Sequence, residues 1–344
     1  MVLAIKIEKE SANKLISDLK KEFLIDNCFK IEREKDFVII PIKKEIEKYK
    51  EKIITITDPK KQKQKDKKLK EALEKKLPKE TISKINSAYD IVGDIIIIGI
   101  DQSLKKYYEI IGKTLFEIHP QIKTVLNKVG DHKGVYRTQD MELVYGVNKK
   151  ETIIKENNCK IKIDVEKVFC STRLSAERKR ICLQVTENEV VGVYFAGAGP
   201  FALAISKNCT VKEIVAIELN DLAVKYLIEN IKINKVDNII PILGDVLIKA
   251  KEYPNYFDRI VMPLPKSADL FLESAIFSIK DNGFIHIYKF VPKDDPYTEV
   301  SKLINEIAEK NRVYLEIVNK RIIRSYSPSI VQIVLDLQIS KNNL

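Results

Sequence analysis

Two glycines one residue apart, Gly197 and Gly199, end the apolar stretch 190–201. That spacing turns a backbone sharply and lets a cofactor approach where a Cβ would clash. Pro200 follows the second glycine, and no third glycine stands at dinucleotide-fingerprint spacing, which disfavours a nicotinamide site. Nineteen residues beyond Gly199, Glu218 lies near the end of a second apolar run, 214–219. A carboxylate there can accept both ribose hydroxyls of an adenosine. A second constellation lies upstream, where Arg173, Glu177 and Arg180 stand at spacings of four and three along one expected helical face. Two chemistries are open to it. One is an intrahelical ion-pair ladder; the other is a general base kept ionised between arginines beside an anionic substrate.

These residues need elements to hold them. The run 190–201 reads as a buried strand, a glycine turn and the start of a helix, and 214–219 as the next strand. A third strand, 239–243, leads to Gly244, Asp245 and Val246, and a fourth, 259–262, leads to Pro263, Leu264, Pro265 and Lys266. Strands alternating with helices predict an α/β fold with a doubly wound parallel sheet in the C-terminal half. Ser171 or Thr172 is the expected N-cap of the helix carrying Glu177.

Ahead of this half, two small α+β domains are expected. The first, 1–57, contains strands at 2–7 and 37–42 around a helix at 11–22. Residues 58–84 read as a charged linker or exposed helix, since ten lysines face five acids over 58–80. The second domain, 85–165, has strands at 95–100 and 124–128, a helix at 107–118, then Arg137, and a strand pair at 151–156 and 160–165. The remainder, 166–344, forms the doubly wound domain.

Sixty Lys and Arg against 49 Asp and Glu give a net charge of +11, which suits a polyanionic partner but is also compatible with thermal adaptation. Five cysteines without a CxxC pair, and three histidines, imply a reduced cytoplasmic protein with no structural metal. No signal-peptide pattern is present, and apolar runs such as 95–100 are too short to span a bilayer.

The combination of Ala88-Tyr89-Asp90-Ile91-Val92-Gly93-Asp94, Arg173-Leu174-x-x-Glu177-Arg178, Phe195-Ala196-Gly197-Ala198-Gly199-Pro200-Phe201, Leu264-Pro265-Lys266 and Ser325-Tyr326-Ser327-Pro328 resembles the archaeal and eukaryotic tRNA (guanine-37 N1)-methyltransferases almost end to end. The resemblance implies a Rossmann-like class I methyltransferase domain using S-adenosylmethionine, tRNA as the partner of a monomeric enzyme, and an N-terminal domain that contacts the tRNA outer corner. It implies Glu177 as the base at guanine N1 and Arg137 as the group neutralising charge on O6. Arg173 and Arg178 would shape the cofactor and phosphate environment. Glu218 would bind the ribose with Leu219 alongside, and Asp245 and Val246 would receive the adenine edge. Phe195, Gly197, Gly199, Pro263 and Pro265 complete the expected cofactor site.

Two departures from the family pattern bear on specificity. Pro263 stands where many relatives have Asn, and Phe169 where relatives can have Tyr, so polar contacts are lost. A branch of the family also methylates C7 of the tricyclic wyosine precursor, and such losses would accommodate that flatter base. Other readings are methylation of another RNA or a small molecule, and a non-catalytic tRNA-binding scaffold.

Overall fold

Residues 2–22, 24–26, 29, 31–57, 69–134, 136 and 138–341 are described by a computed structural model. The chain divides into two compact units, Met1–Glu71 and Ala72–Leu344.

In the first unit, β1 (Val2–Glu8) is followed by α1 (Lys9–Lys21), β2 (Glu32–Arg33), β3 (Phe37–Pro41) and β4 (Ile53–Ile56). The sheet order is β2-β3-β1-β4, with β1 antiparallel to both neighbours. Ala12, Leu15 and Leu19 recur at helical spacing and pack on Ile5, Ile7, Val38 and Ile40, giving the unit a core of its own. The sequence missed β2 and β4, because two- to four-residue strands carry little periodic signal.

The expected linker is not uniform. Its residues 58–68 lie outside the described residues, whereas α2 (Leu69–Leu73) and α3 (Lys79–Lys84) are helices whose Leu69, Leu73 and Ile82 are buried. Next come β5 (Tyr89–Val92), β6 (Ile95–Ile98), a 3-10 turn (Gln102–Tyr107), α4 (Tyr108–Ile118), β7 (Thr124–Lys133) and β8 (Thr138–Gly146). They form a four-stranded sheet in sequential order in which α4 makes the parallel crossover from β6 to β7. The strand β8 went unread; Gln139, Asp140 and Glu142 interrupt its apolar residues, and its burial does not alternate cleanly.

The hairpin β9 (Glu151–Glu156) and β10 (Cys159–Asp164) turns on Asn157 and Asn158, both at positive φ, a conformation Asn tolerates. After it come α5 (Ser175–Cys182), β11 (Val190–Tyr194), α6 (Pro200–Asn208), β12 (Glu213–Glu218), α7 (Asp221–Asn234), β13 (Ile239–Leu243), α8 (Val246–Lys249), β14 (Phe257–Met262), α9 (Leu272–Ser278), β15 (Ile279–Pro292), α10 (Thr298–Lys310), β16 (Tyr314–Ser325) and β17 (Ile330–Ser340). Seven strands make one sheet in the order β13-β12-β11-β14-β15-β17-β16. The first five run parallel, and β17 enters antiparallel between β15 and β16. This is the expected Rossmann-like arrangement, with fully buried β11 in its interior between β12 and β14.

Two asparagines on α7 hold the hairpin to this sheet. Asn230 and Asn234 each exchange a pair of hydrogen bonds with the backbone of β10, at Lys162 and Lys160. Asn230 also donates to the Ala198 carbonyl, 3.1 Å away, so the hairpin and the glycine turn share one support.

Candidate active site

Because β11 to β14 are parallel, Phe195, Glu218, Asp245 and Pro263 all fall at the same edge of the sheet, outside the carboxyl ends of the strands. Open α/β sheets bind ligands there. The turn after β11 is shaped by positive φ at Phe195 (57°), Gly197 (57°) and Gly199 (90°). A Cβ on Gly199 would stand 2.4 Å from Leu227 Cδ1, whereas one on Gly197 would meet only a carbonyl at 3.7 Å. Gly199 is therefore required by packing, and Gly197 by the backbone and the open space beside it. Phe195 carries the same conformation without being glycine, a strained arrangement braced by edge contact with Phe271, ring centres 4.7 Å apart.

A cavity of about 400 Å³ opens at this edge. Gly197, Glu218 and Asp245 line it with Phe195, Leu219, Val246 and Pro263, as the sequence predicts. Glu218 is tied down by the Gly197 N–H at 2.7 Å and the Asn220 N–H at 2.8 Å. Burial raises its carboxyl above the usual range, and these backbone bonds only partly offset that. The Asp245 side chain caps α8 by accepting from the Leu247 N–H at 2.8 Å. Apolar walls, a carboxylate for two vicinal hydroxyls and a volume in the small-ligand range fit an adenosyl group.

Three expected residues lie elsewhere. Arg178 is fully buried and forks onto both oxygens of Glu156, with one further bond to the Ser171 carbonyl, so it braces the hairpin instead of lining the cavity. Gly199 caps α6 from behind. Pro265 accepts the Phe290 N–H through its carbonyl and lies outside the lining. Arg137 lies outside the described residues.

The helix carrying Glu177 begins later than expected. Thr172–Leu174 form a 3-10 turn, and α5 starts at Ser175 without a side-chain cap bond at Ser171 or at Leu174. That turn takes Arg173 off the face of Glu177. Arg173 instead pairs with Asp90, Nη2 to Oδ1 at 2.6 Å, at the side of a second cavity of about 240 Å³. Lys128, Arg324 and Tyr326 also border this space, and Val168 and Phe169 line both cavities. Phe169 is thus the common wall.

Glu177 itself is 4% exposed and lines neither of these cavities. Arg180 binds it with Nε at 3.0 Å from each oxygen and Nη2 at 2.7 Å from Oε1, and the Tyr288 hydroxyl donates to Oε1 at 2.9 Å. The same guanidinium reaches Asp336 on β17, at 2.5 and 2.9 Å. Asp336 accepts from His286 Nδ1 at 2.6 Å, while Arg259 Nη1 donates to His286 Nε2 at 2.8 Å and grips Glu189 with Nε and Nη2. Since Nε2 accepts, His286 is a neutral imidazole, in agreement with the depression that burial imposes on it. A chain of three carboxylates and two guanidiniums around one imidazole thus runs from α5 through β17 and β15 to β14. Sequence reasoning overlooked it. The available signal was an acid and a histidine inside the apolar strands β17 and β15, where charged residues are rare unless paired.

A glycine turn, an acid ending the second strand and a sheet with one antiparallel strand near its edge define the class I methyltransferase fold. The family model described as TRM5/TYW2 methyltransferase domain matches residues 152–316, with a TYW2 N-terminal domain at 69–149 and a tRNA methyltransferase 5 N-terminal domain at 4–50. The chain is 37% identical over 340 residues to the tRNA (guanine(37)-N(1))-methyltransferase Trm5b of Pyrococcus abyssi, covering 99% of this chain and 100% of that one. The chain belongs to the TRM5/TYW2 methyltransferase family. The crystal structure of the Pyrococcus abyssi Trm5b superposes with a TM-score of 0.74. A structure of aTrm5 in complex with tRNALeu superposes at 0.72, with 32% identity, covering 98% of this chain and 99% of that one. A Nanoarchaeum equitans relative named tRNA (guanine(37)-N(1))/4-demethylwyosine(37)-methyltransferase Taw22 is 33% identical over 270 residues, 63% of this chain and 89% of that one. Among the described residues there is no cluster suited to a metal ion and no helix long and apolar enough to cross a membrane.

Proposed function

We propose that this chain, acting as a cytoplasmic monomer, transfers the methyl group of S-adenosylmethionine to N1 of guanosine 37 in tRNA. The observation that carries this reading is the pair of cavities meeting at Phe169, one with an adenosyl-type donor set and one bordered by Arg173, Lys128 and Arg324. Full-length likeness to an enzyme named for that reaction supports it. In domain terms, 1–57 and 85–165 serve tRNA binding and 166–344 the chemistry.

When bound, S-adenosylmethionine supplies an electrophilic methyl on a sulfonium. Glu218 would accept the ribose hydroxyls with Leu219 alongside, and Asp245 and Val246 would receive the adenine edge. The smaller cavity takes the target nucleoside against Phe169. Guanine N1 is a poor nucleophile until its proton leaves, and the negative charge then spreads to O6. Glu177, which is buried and lines neither cavity, is assigned that proton from its place in the motif. Its Oε2 accepts one hydrogen bond where Oε1 accepts three, which makes Oε2 the oxygen with capacity to spare. Arg137 is assigned to O6 from its place in the motif order.

The test is nucleoside mass mapping after reaction of unmodified tRNA transcript with labelled cofactor. The expected product is 1-methylguanosine at position 37, and label in any other nucleoside would overturn the reading. Glu177→Gln should keep cofactor affinity and lower single-turnover methyl transfer by about 100-fold or more. A second specificity is favoured by the two apolar walls, Phe169 and Pro263. On tRNA carrying the tricyclic precursor, that reading requires label on carbon as well.

A further inference from the structure

The Glu177 carboxylate is bonded by one cation, Arg180, and that cation is not its own. All of the Arg180 nitrogens are engaged: Nε with Glu177, Nη1 with Asp336, and Nη2 with both. The guanidinium is a plate between two carboxylates on different elements, α5 and β17. Asp336 is a full competitor. Burial would push its carboxyl up, but bonds from His286, Arg180 and Asn319 hold it far below the usual range, so it is ionised throughout the working pH range.

No other full charge reaches Glu177 among the described hydrogen bonds and ion pairs. On its own side, Arg178 is committed to Glu156 and Arg173 to Asp90. From β15 it meets the Tyr288 hydroxyl, and His286 beyond is neutral. From β14, Arg259 is matched by Glu189. A carboxylate with an unshared guanidinium in so buried a place would be firmly ionised but a weak base.

We propose, on the reading that Glu177 is the base, that Arg180 and Asp336 are positioning residues that set its basicity. Asp336 takes a share of the Arg180 charge, so the guanidinium is divided between the two carboxylates. Arg180 and Asp336 act through Glu177, and none of the three lines either of the two cavities that share Phe169.

The experiment is the pH profile of single-turnover methyl transfer for the full-length protein with saturating tRNA and cofactor. Below the midpoint of the acid limb the base is protonated and the rate falls. In Asp336→Asn the whole Arg180 charge turns to Glu177, so the midpoint should move about 1 pH unit or more downward, with a several-fold lower plateau from the weaker base. Arg180→Lys replaces the fork by one point charge that cannot hold both carboxylates, and the midpoint should move upward. It decides the matter alone if Asp336→Asn does not fold, because the new amide faces the donors of Arg180, Gln184 and Asn319. The Glu177 carboxyl resonance in 13C-glutamate-labelled protein, assigned by its loss in Glu177→Gln, should move in the same two directions. Variants that melt lower with an unmoved midpoint and resonance would make the network structural only and overturn the proposal. If Glu177→Gln methylates at near wild-type rate, the base reading fails first. If Glu177→Gln is inactive and the midpoints stay fixed, the tuning fails alone.

Discussion

Glu218 combines two demands that oppose each other. On the proposed reading it must be ionised to accept ribose hydroxyls, yet burial raises its carboxyl above the ordinary range. A raised carboxyl gains its proton as pH falls through that raised value, so the cofactor should begin to weaken at a higher pH than an ordinary glutamate would allow. Calorimetric titration across pH 4 to 8 should show S-adenosylmethionine affinity decreasing towards acid, with Glu218→Gln flat, weaker by roughly 1 to 3 kcal/mol at neutral pH and converging with the wild type towards acid. A wild-type profile as flat as that of the variant would remove Glu218 from the ribose contact. Residue type and spacing alone singled out Glu218 as a candidate, because the end of the second parallel strand lies at the ligand-binding edge of such a sheet. They did not identify Asp336, which is 156 residues from its partner Arg180.

At the scale of elements, the strand, turn and helix from β11 to α6 is the part most tightly determined. Pro200 stands at the first turn of α6, where its missing N–H costs nothing, and Gly199 before it is left-handed. The contrast between the two glycines is testable. Gly199→Ala combines a forbidden φ with a 2.4 Å clash against Leu227 and should cost about 1 to 3 kcal/mol of stability in denaturant titration. Gly197→Ala, at a φ of 57°, meets only the Phe169 carbonyl at an ordinary 3.7 Å, so it should lose less stability and instead weaken cofactor binding. Equal losses in both variants would place the two glycines in one structural role. The helix α5 shows the opposite case. Its local spacing suggested a three-residue ladder, but a 3-10 turn re-aimed Arg173 to Asp90, 83 residues upstream.

The whole molecule consists of two units, the smaller with its own core around Ile5, Leu15 and Ile40. Deleting residues 1–57 therefore leaves the other cores intact. The truncated enzyme should show a raised apparent Michaelis constant for tRNA, with single-turnover rate at saturating tRNA changed far less. Affinity of the full chain should fall with added salt, as phosphate contacts require. A tRNA affinity indifferent to both salt and truncation would separate the N-terminal unit from substrate binding.

What the sequence determined by itself is whatever is local or serial: the order of strands and helices from 190 onward, the glycine turn, and the acids at strand ends. Parallel connections through helices carry each strand end to the same edge, so serial order suffices to assemble the cavity there. The third dimension decided what depends on neighbours across the sheet. Inserting β17 antiparallel between β15 and β16 sets Asp336 opposite His286, and packing α5 on that face brings Arg180 to both carboxylates. Periodicity cannot show such a contact, because a buried charge in a strand becomes interpretable only once its partner, from a distant element, stands beside it.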